Sequence, residues 1–348
     1  MLFTQSEDQQ LFTESARKLF QEQCTTEKLR QMLSAGEILD TERWQLIRDM
    51  GLPQVLAPED RGGLGLTEVD FVGIAEAAGY VALPEPLVEQ GGIAIPLLAA
   101  LDVDSPWLDR ALSGAVVAVG HPALRFVADA DRADALLLAA GDTIHLVERH
   151  QVELIRQQSF DPFRQLYRVV WSPNSNTEVC GGEPARKLWD AAFERGALFT
   201  AAQCLGLAQR CVDMAVHYAR DRNQFGKPIG SYQAVKHMLA NVQVQIEFAR
   251  PVVQAAAAEL RTGGIVAAAR VSHAKLAAAE AADVAARTAL QVHGAMGFTW
   301  EVDLHFFMKR ALALGSTWGV ADWHRRRVIQ RMLDAPIGPD AIFAGELC

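Results

Sequence analysis

The sequence predicts a mainly α protein with a small β domain (α+β), and three observations carry that expectation. Apolar residues recur at helical spacing over long stretches at both ends of the chain. Short β-rich runs between Gly, Pro and Asp lie in the middle. The second helical stretch consists of long patterns with short connections, as in an antiparallel four-helix bundle. The expected order is an N-terminal helical domain over 1–113, a β domain over 114–182 and a helical bundle over 183–348.

Ser6 is placed to cap the first helix, with Gln9 at its third helical position. Leu11, Ala16, Leu19 and Phe20 follow at near-helical spacing. A second helix is expected near Thr41–Met50, stopped by Gly51-Leu52-Pro53. Pro58–Leu66 is rich in glycine, but no strand precedes it and its spacing is not G-x-G-x-x-G, so a structural turn is expected rather than a phosphate cradle. Thr67 is expected to cap a helix over Glu68–Gly79. Another helix is expected over Val88–Leu101, after Pro84 and Pro86.

The texture changes near Ser113. Ala115–Val119, Ala135–Ala139, Thr143–Val147 and Tyr167–Trp171 are the strand candidates. A β domain of this size is marginal alone and should pack on helices. From Glu183 the pattern is helical again. Leu198, Ala201, Leu205, Ala208, Val212, Ala215 and Ala219 share one face of a long helix. Ser231 is expected to cap the next helix, with Val235, Leu239, Val242, Ile246 and Ala249 as its stripe and a kink at Pro251. Ile265–His293 and a last helix near Val320–Leu333 complete the set.

Composition bounds the function. The chain has 348 residues, half of them hydrophobic, and a net charge of −9, which argues against a general nucleic-acid or anionic-membrane binder. No apolar run reaches spanning length, and Met1–Asp8 has neither the basic nor the apolar region of a signal peptide. Five dispersed cysteines (Cys24, Cys180, Cys204, Cys211, Cys348) suit a reducing cytoplasm. The histidines show no zinc-like pairing, so no metal site is expected.

One stretch stands out against this acidic background. Ala219–His237 carries Arg220, Arg222, Lys227 and Lys236 against Asp221 alone, with Phe225 beside Gly226. Arginine can hold an anion through planar donors, and a bare glycine lets backbone approach a ligand. A solvated loop between helices would have the same composition.

Two motifs in this half resemble those of the acyl-CoA dehydrogenase family. Arg222, Gln224, Phe225, Gly226, Ile229 and Gln233 match R-x-Q-F-G-x-x-I-x-x-x-Q, and Gln291–Thr299 is similar to Q-x-x-G-G-x-G-Y/F-T. Leu205–Arg210 fits the family's first bundle helix, and the order of domains agrees. The resemblance implies FAD and an acyl-CoA substrate. It assigns cofactor contacts to Arg222, Gln224, Phe225, Gln233, Gln291, Gly294 and Ala295, which would reach across a subunit interface to the pyrophosphate and adenine half of an FAD held mainly by the neighbour. Arg222 would meet the pyrophosphate, Phe225 would lie near the adenine, Gln291 would supply amide hydrogen bonds and Gly294 would bring backbone close.

The departures from the family matter as much. Desaturation needs a carboxylate to take the α-proton while a hydride leaves for the flavin. In much of the family that base is the Glu of a Y-E-G-T segment. Here Thr317-Trp318-Gly319-Val320 occupies that place, and an indole accepts no proton. Some members carry the base at the start of the first bundle helix, a position held here by Gly196. Glu194 lies two residues earlier, turned by about 200° on a helix, and is the weak alternative base. Glu301 and Asp322 are expected at the surface. The family's flavin-contacting T-E-P-x-x-G-S-D-like loop is replaced by Val119–Phe126, and no W-I-T/S segment follows. The resemblance is therefore to the shortened, base-lacking subunit of heteromeric (two-plus-two) dehydrogenases like those of bacterial steroid side-chain breakdown. It implies a homologous catalytic partner in a heterotetramer. The alternatives are a self-sufficient homo-oligomer using Glu194, or a flavin-free scaffold.

Overall fold

The structure, a computed structural model, describes residues 6–101 and 105–334. Cys348 and residues 1–5, part of the N-terminal signal-peptide reading, lie outside that range. Helices dominate, with a small β region between them, as the sequence predicts.

Four helices come first: α1 (Glu7–Gln23), α2 (Thr26–Ala35), α3 (Thr41–Asp49) and α4 (Glu68–Tyr80). They are followed by α5 (Leu87–Glu89), a π turn (Gln90–Ala94), α6 (Ile95–Ala100) and α7 (Trp107–Leu112). The strands are β1 (Val117–Gly120), β2 (Val127–Ala128), β3 (Ala135–Ala140), β4 (Thr143–Glu148), β5 (Glu153–Gln157), β6 (Leu166–Val170) and β7 (Glu178–Gly181). The 40-residue α8 (Gly182–Asp221) leads to a hairpin of β8 (Asn223–Gln224) and β9 (Lys227–Pro228). Then come α9 (Gln233–Glu259), α10 (Gly264–His293), α11 (Leu304–Gly315) and α12 (Ala321–Asp334). The chain divides into two compact units, with boundaries after Glu22 at the end of α1, after Phe71 inside α4, after Leu83, and after Phe199 inside α8.

The first unit holds α1, the end of α4, the second half of α8 and α9–α12. Ser6 and Gln9 form the expected reciprocal cap: the Gln9 amide N–H donates to Ser6 Oγ at 3.2 Å, and Ser6 N–H to Gln9 Oε1 at 2.9 Å. Thr13, Ala16 and Phe20 form the buried face of α1, while Leu11, expected there, is exposed. The predicted α8 stripe from Leu198 to Ala219 is buried throughout. Glycine sets the closest approach of α4 and α8. A Cβ on Gly206 would fall on the Glu76 carbonyl, and one on Gly79 would fall on the Gln203 carbonyl. The crossing is tied by Tyr80 Oη, which donates to Asp213 at 2.9 Å. The amides of Gln209 and Gln243 exchange hydrogen bonds at 3.2 and 3.0 Å, joining α8 to α9. α9, α11 and α12 all pack on the alanine-rich α10. Pro251 is accommodated inside α9, which runs on to Glu259. Ser231 does not cap that helix. Its hydroxyl donates to the Pro228 carbonyl at 2.7 Å, and α9 begins after Tyr232 without a side-chain cap.

The second unit holds α2, α3, α5–α7, the strands β1–β7 and the first halves of α4 and α8. Arg43 and Glu85 form a buried bidentate pair, each N···O contact 2.7 Å, the geometry that best offsets charge burial. In the glycine-rich loop the N–H groups of Gly63, Leu64, Gly65 and Leu66 all donate to carbonyls of residues 54–58. It is a turn, and those donors are spent. Thr67 stands at the start of α4 as expected: its carbonyl accepts the Asp70 and Phe71 N–H groups, while its hydroxyl and its own N–H both donate to the Asp70 carboxylate. The π turn places Gly91 and Gly92 against the Phe71 and Phe199 rings, where a Cβ on Gly92 would stand 2.7 Å from Phe199. Gln90 then pairs with the backbone of Ala115 and Val117, as a strand neighbour would.

The strands form a four-stranded sheet in the order β1-β3-β4-β7 and a three-stranded sheet β2-β6-β5. β1 runs parallel to β3, and the other pairs are antiparallel. Ala118, Val127, Leu136, Leu138, Val147 and Tyr167 belong to their shared core.

Candidate cofactor-contacting site

The basic stretch begins where α8 ends. The Arg222 N–H still donates to the Tyr218 carbonyl at 2.9 Å, and the Ile229 N–H returns to the Arg222 carbonyl at 2.8 Å. Between them β8 and β9 pair with only Phe225 and Gly226 at the turn. Both have positive φ, +52° and +82°. A two-residue hairpin of this twist wants positive φ at both positions, which suits Gly226 and strains Phe225. The strained residue is also 93% exposed. Arg222 is exposed too, and among the described residues its guanidinium has no hydrogen bond or ion pair. Gln224 and Gln233 are exposed beside it. The hairpin is stiffened from behind by Tyr232, whose hydroxyl donates to the Gln224 carbonyl at 3.1 Å and whose ring lies 4.3 Å from Lys227 Nζ. Gly230 lies under the last turn of α8, where a Cβ would stand 3.0 Å from the Ala219 carbonyl.

The second motif closes α10. Gly294 has φ +58° and ψ −138°, a conformation open to glycine alone, and its N–H closes the helix on Leu290 and Gln291. Gln291, Gly294 and Ala295 are exposed, and no atom lies within 4 Å of where a Gly294 Cβ would be. Of the two buried residues between Gln291 and Gly294, His293 stacks on Tyr218 with ring centroids 4.4 Å apart. The base of the hairpin and the end of α10 thus meet through these two rings. The sequence marks His293 only as the end of a helix inside the second motif and does not single out Tyr218, since nothing in the spacing of 218 and 293 signals contact.

The position of the family's usual base holds a buried indole, and the weak alternative Glu194 is buried as well. Trp318 is 4% exposed and sits at φ +56°. Glu194 is 9% exposed on α8, beside an Arg195–Glu68 pair at 3.1 Å. Glu301 is exposed, and Asp322 is exposed and paired with Arg326 at 2.8 Å.

The loop after β1 is closed by His121. Its Nδ1 accepts from the Ala123 N–H at 3.0 Å, so Nε2 carries the proton and donates to the Trp189 carbonyl at 3.0 Å. The ring meets Trp189 edge-on at 5.3 Å, and burial pushes its pKa down to about 4. The loop is thus pinned to α8 by a neutral side chain with both ring nitrogens used. Among the described residues no group of three or more His, Cys, Asp or Glu could hold a metal ion, and no helix is long and apolar enough to cross a membrane.

Comparison with known proteins places this architecture. Residues 6–101 match the acyl-CoA dehydrogenase N-terminal domain, and 187–333 match the acyl-CoA dehydrogenase C-terminal domain. The acyl-CoA dehydrogenase IpdE2 of Mycobacterium tuberculosis is 31% identical over 309 residues, 88% of this chain and 92% of the relative. Among solved structures, the ChsE4–ChsE5 complex from Mycobacterium tuberculosis superposes with a TM-score of 0.85 at 24% identity, over 97% of this chain and 100% of that one. PigA with FAD and proline superposes with a TM-score of 0.85 at 18% identity, over 95% and 99%. The chain belongs to the acyl-CoA dehydrogenase family, FAD-dependent oxidoreductases that act on CH–CH bonds.

Proposed function

We propose that this chain is the non-catalytic subunit of a heteromeric, cytoplasmic acyl-CoA dehydrogenase, and that it completes the FAD site of a homologous catalytic partner across the interface. The observation that carries the reading is the hairpin tip. Phe225 is held in a strained conformation and almost fully exposed, beside an Arg222 whose guanidinium has no partner among the described residues. Strain and unspent charge together are expected where a ligand supplies the compensation.

The residue types fit a dinucleotide. Arg222 offers a permanent charge and forked donors to a pyrophosphate, and Phe225 a flat face to an adenine. The bare Gly294 leaves room for backbone approach, and Gln291 adds amide donors and an acceptor. Gln224, Gln233 and Ala295 line the same exposed edges. FAD supplies a hydride acceptor when bound. The two positions at which the family carries its base hold Trp318 and Gly196, neither of which can take the α-proton. A buried indole stands at Trp318, and both ring nitrogens of His121 are engaged within the chain, which supports a partner that brings both base and flavin-ring pocket. The resemblance to steroid side-chain enzymes makes a bulky polycyclic acyl-CoA the expected substrate class.

The test is FAD stoichiometry. The chain should purify colourless alone, and with the dehydrogenase-like product of a neighbouring gene it should give about half an FAD per protomer, as shared sites require. Arg222→Ala should lower that content. A chain that is yellow and desaturates an acyl-CoA by itself, with activity abolished by Glu194→Gln, would replace the division of labour with the homo-oligomer. FAD content unmoved by Arg222→Ala would leave a scaffold.

A further inference from the structure

Tyr218 and His293 belong to none of the family-motif positions, yet each lies one step from a cofactor-contacting segment. The Tyr218 carbonyl receives the Arg222 N–H at 2.9 Å, so the hairpin starts from the Tyr218 backbone. Its neighbour Ala219 lies beneath Gly230 at the other end of the same hairpin. His293 is the last residue of α10, directly before Gly294.

His293 is fixed on three sides. Its Nδ1 lies 2.7 Å from the Ala289 carbonyl, an acceptor only, so Nδ1 carries the proton. The turn after α10 folds back on it, and a Cβ on Gly297 would stand 3.1 Å from His293 Cβ. Its ring face lies on Tyr218 at 4.4 Å with 27° between planes, and only 4% of the residue is exposed. Burial holds the imidazole below the ordinary histidine range, which favours a neutral stack.

We infer that Tyr218 and His293 are positioning residues whose stacked rings lock the Arg222–Phe225 hairpin to the Gly294–Phe298 turn, so that the two segments meet a cofactor as one rigid jaw. A pyrophosphate held by Arg222 and backbone brought close at Gly294 must be in register to about half an ångström. The stack can set that register because the hairpin tip itself is solvent-exposed and nothing among the described residues lies within 4 Å of where a Gly294 Cβ would be. The inference rests on the proposed cofactor role of both segments, but the lock itself is independent of it.

Hydrogen exchange on the full chain tests the lock. Either Tyr218→Ala or His293→Ala should speed exchange roughly three- to tenfold in both 222–231 and 294–299, the scale of one aromatic pair. The double variant should add little to either single one. Tyr218→Phe, which keeps the stack, should exchange as the wild type does. If His293→Ala does not fold, His293→Phe gives up the Ala289 bond and keeps the ring, and both segments should stay coupled and protected. Each variant loosening only its own segment, or additive effects in the double variant, would overturn the lock whatever FAD does. Coupled exchange with FAD content unmoved by Arg222→Ala would keep the lock and sink the cofactor reading.

Discussion

His324 holds the backbone carbonyl of Trp318 at 2.8 Å through Nε2–H and receives the Ser272 hydroxyl at Nδ1, 3.0 Å away. The tautomer follows because a carbonyl can only accept. Trp318 sits at φ +56°, a conformation that costs a bulky residue about 1–2 kcal/mol. Gly319 must stay bare, since a Cβ there would stand 2.6 Å from His324 Nε2. A strained tryptophan is therefore held in place by a buried histidine, where family resemblance puts a catalytic carboxylate.

His324→Ala would leave the buried Trp318 carbonyl and Ser272 hydroxyl without these partners and open a cavity. We expect a loss of about 2–4 kcal/mol, measured by urea unfolding followed through tryptophan fluorescence. A loss under about 1 kcal/mol would mean that Trp318 keeps its conformation without the histidine.

His324 and His121 also set a pH dependence. Burial pushes both from 6.5 to about 4 in the folded chain. Between those values the unfolded chain binds more protons, so stability rises with pH there. The contribution is complete above about pH 6.5 and is lost as pH falls toward 4, up to about 3 kcal/mol per histidine. Asp129, whose carboxyl is pushed up to about 7 by burial, opposes this over the same window, so the clean measure is a difference between variants. The stability of the wild type over His121→Asn, which does not titrate, should shrink as pH falls from 7 toward 5. A difference that stays constant between pH 7 and 5 would contradict the buried neutral ring of His121.

What the sequence revealed and what it hid divide along a physical line. The Ser6–Gln9 cap, the α8 stripe and the spent glycine-rich loop are local patterns, and each stands where its spacing put it. The cap expected of Ser231 failed because a hydroxyl can donate as well as accept, and this one turned to the Pro228 carbonyl; Thr67 does stand at the start of α4, though its hydroxyl donates to Asp70 rather than accepting. β5 was missed because Glu-Leu-Ile-Arg-Gln is only half-buried and mixes charge with apolar residues. α2 was missed because ten residues with modest periodicity read as loop, although Thr25 accepts the Lys28 N–H and Gly36 ends the helix. The two motifs were legible as motifs. The Tyr218–His293 stack and the His121 and His324 pins were not, since each joins residues far apart in sequence through ring geometry that no spacing records.

The glycine contact between α4 and α8 gives a packing prediction. Gly206→Ala would drive a methyl into the Glu76 carbonyl, and rigid backbone on both sides leaves no side chain to yield. Overpacking of this kind should cost about 3 kcal/mol, the upper end of the usual range, in thermal or chemical unfolding. Gly315→Ala is the control, because nothing lies within 4 Å of its Cβ position, and it should be neutral or stabilising by up to about 1 kcal/mol. Equal effects from the two would show that α4 and α8 separate easily.

Phe225→Gly sets stability against function at the hairpin tip. The wild-type ring is 93% exposed, so its removal gives up almost no burial. Glycine adopts the positive φ of that turn freely, which relieves strain of about 1 kcal/mol. Greater freedom of the unfolded chain offsets part of the gain, so the net change should lie between zero and about 1 kcal/mol of stabilisation. If the ring exists to meet an adenine, the same variant should reduce FAD retained by the assembled complex several-fold, the worth of an aromatic contact of about 1 kcal/mol. Absorbance at the flavin band and a melting curve on one preparation read both quantities. A variant that melts lower would show that Phe225 is structural in its own chain. One that melts higher and keeps its full FAD would leave the exposed ring without the role proposed for it.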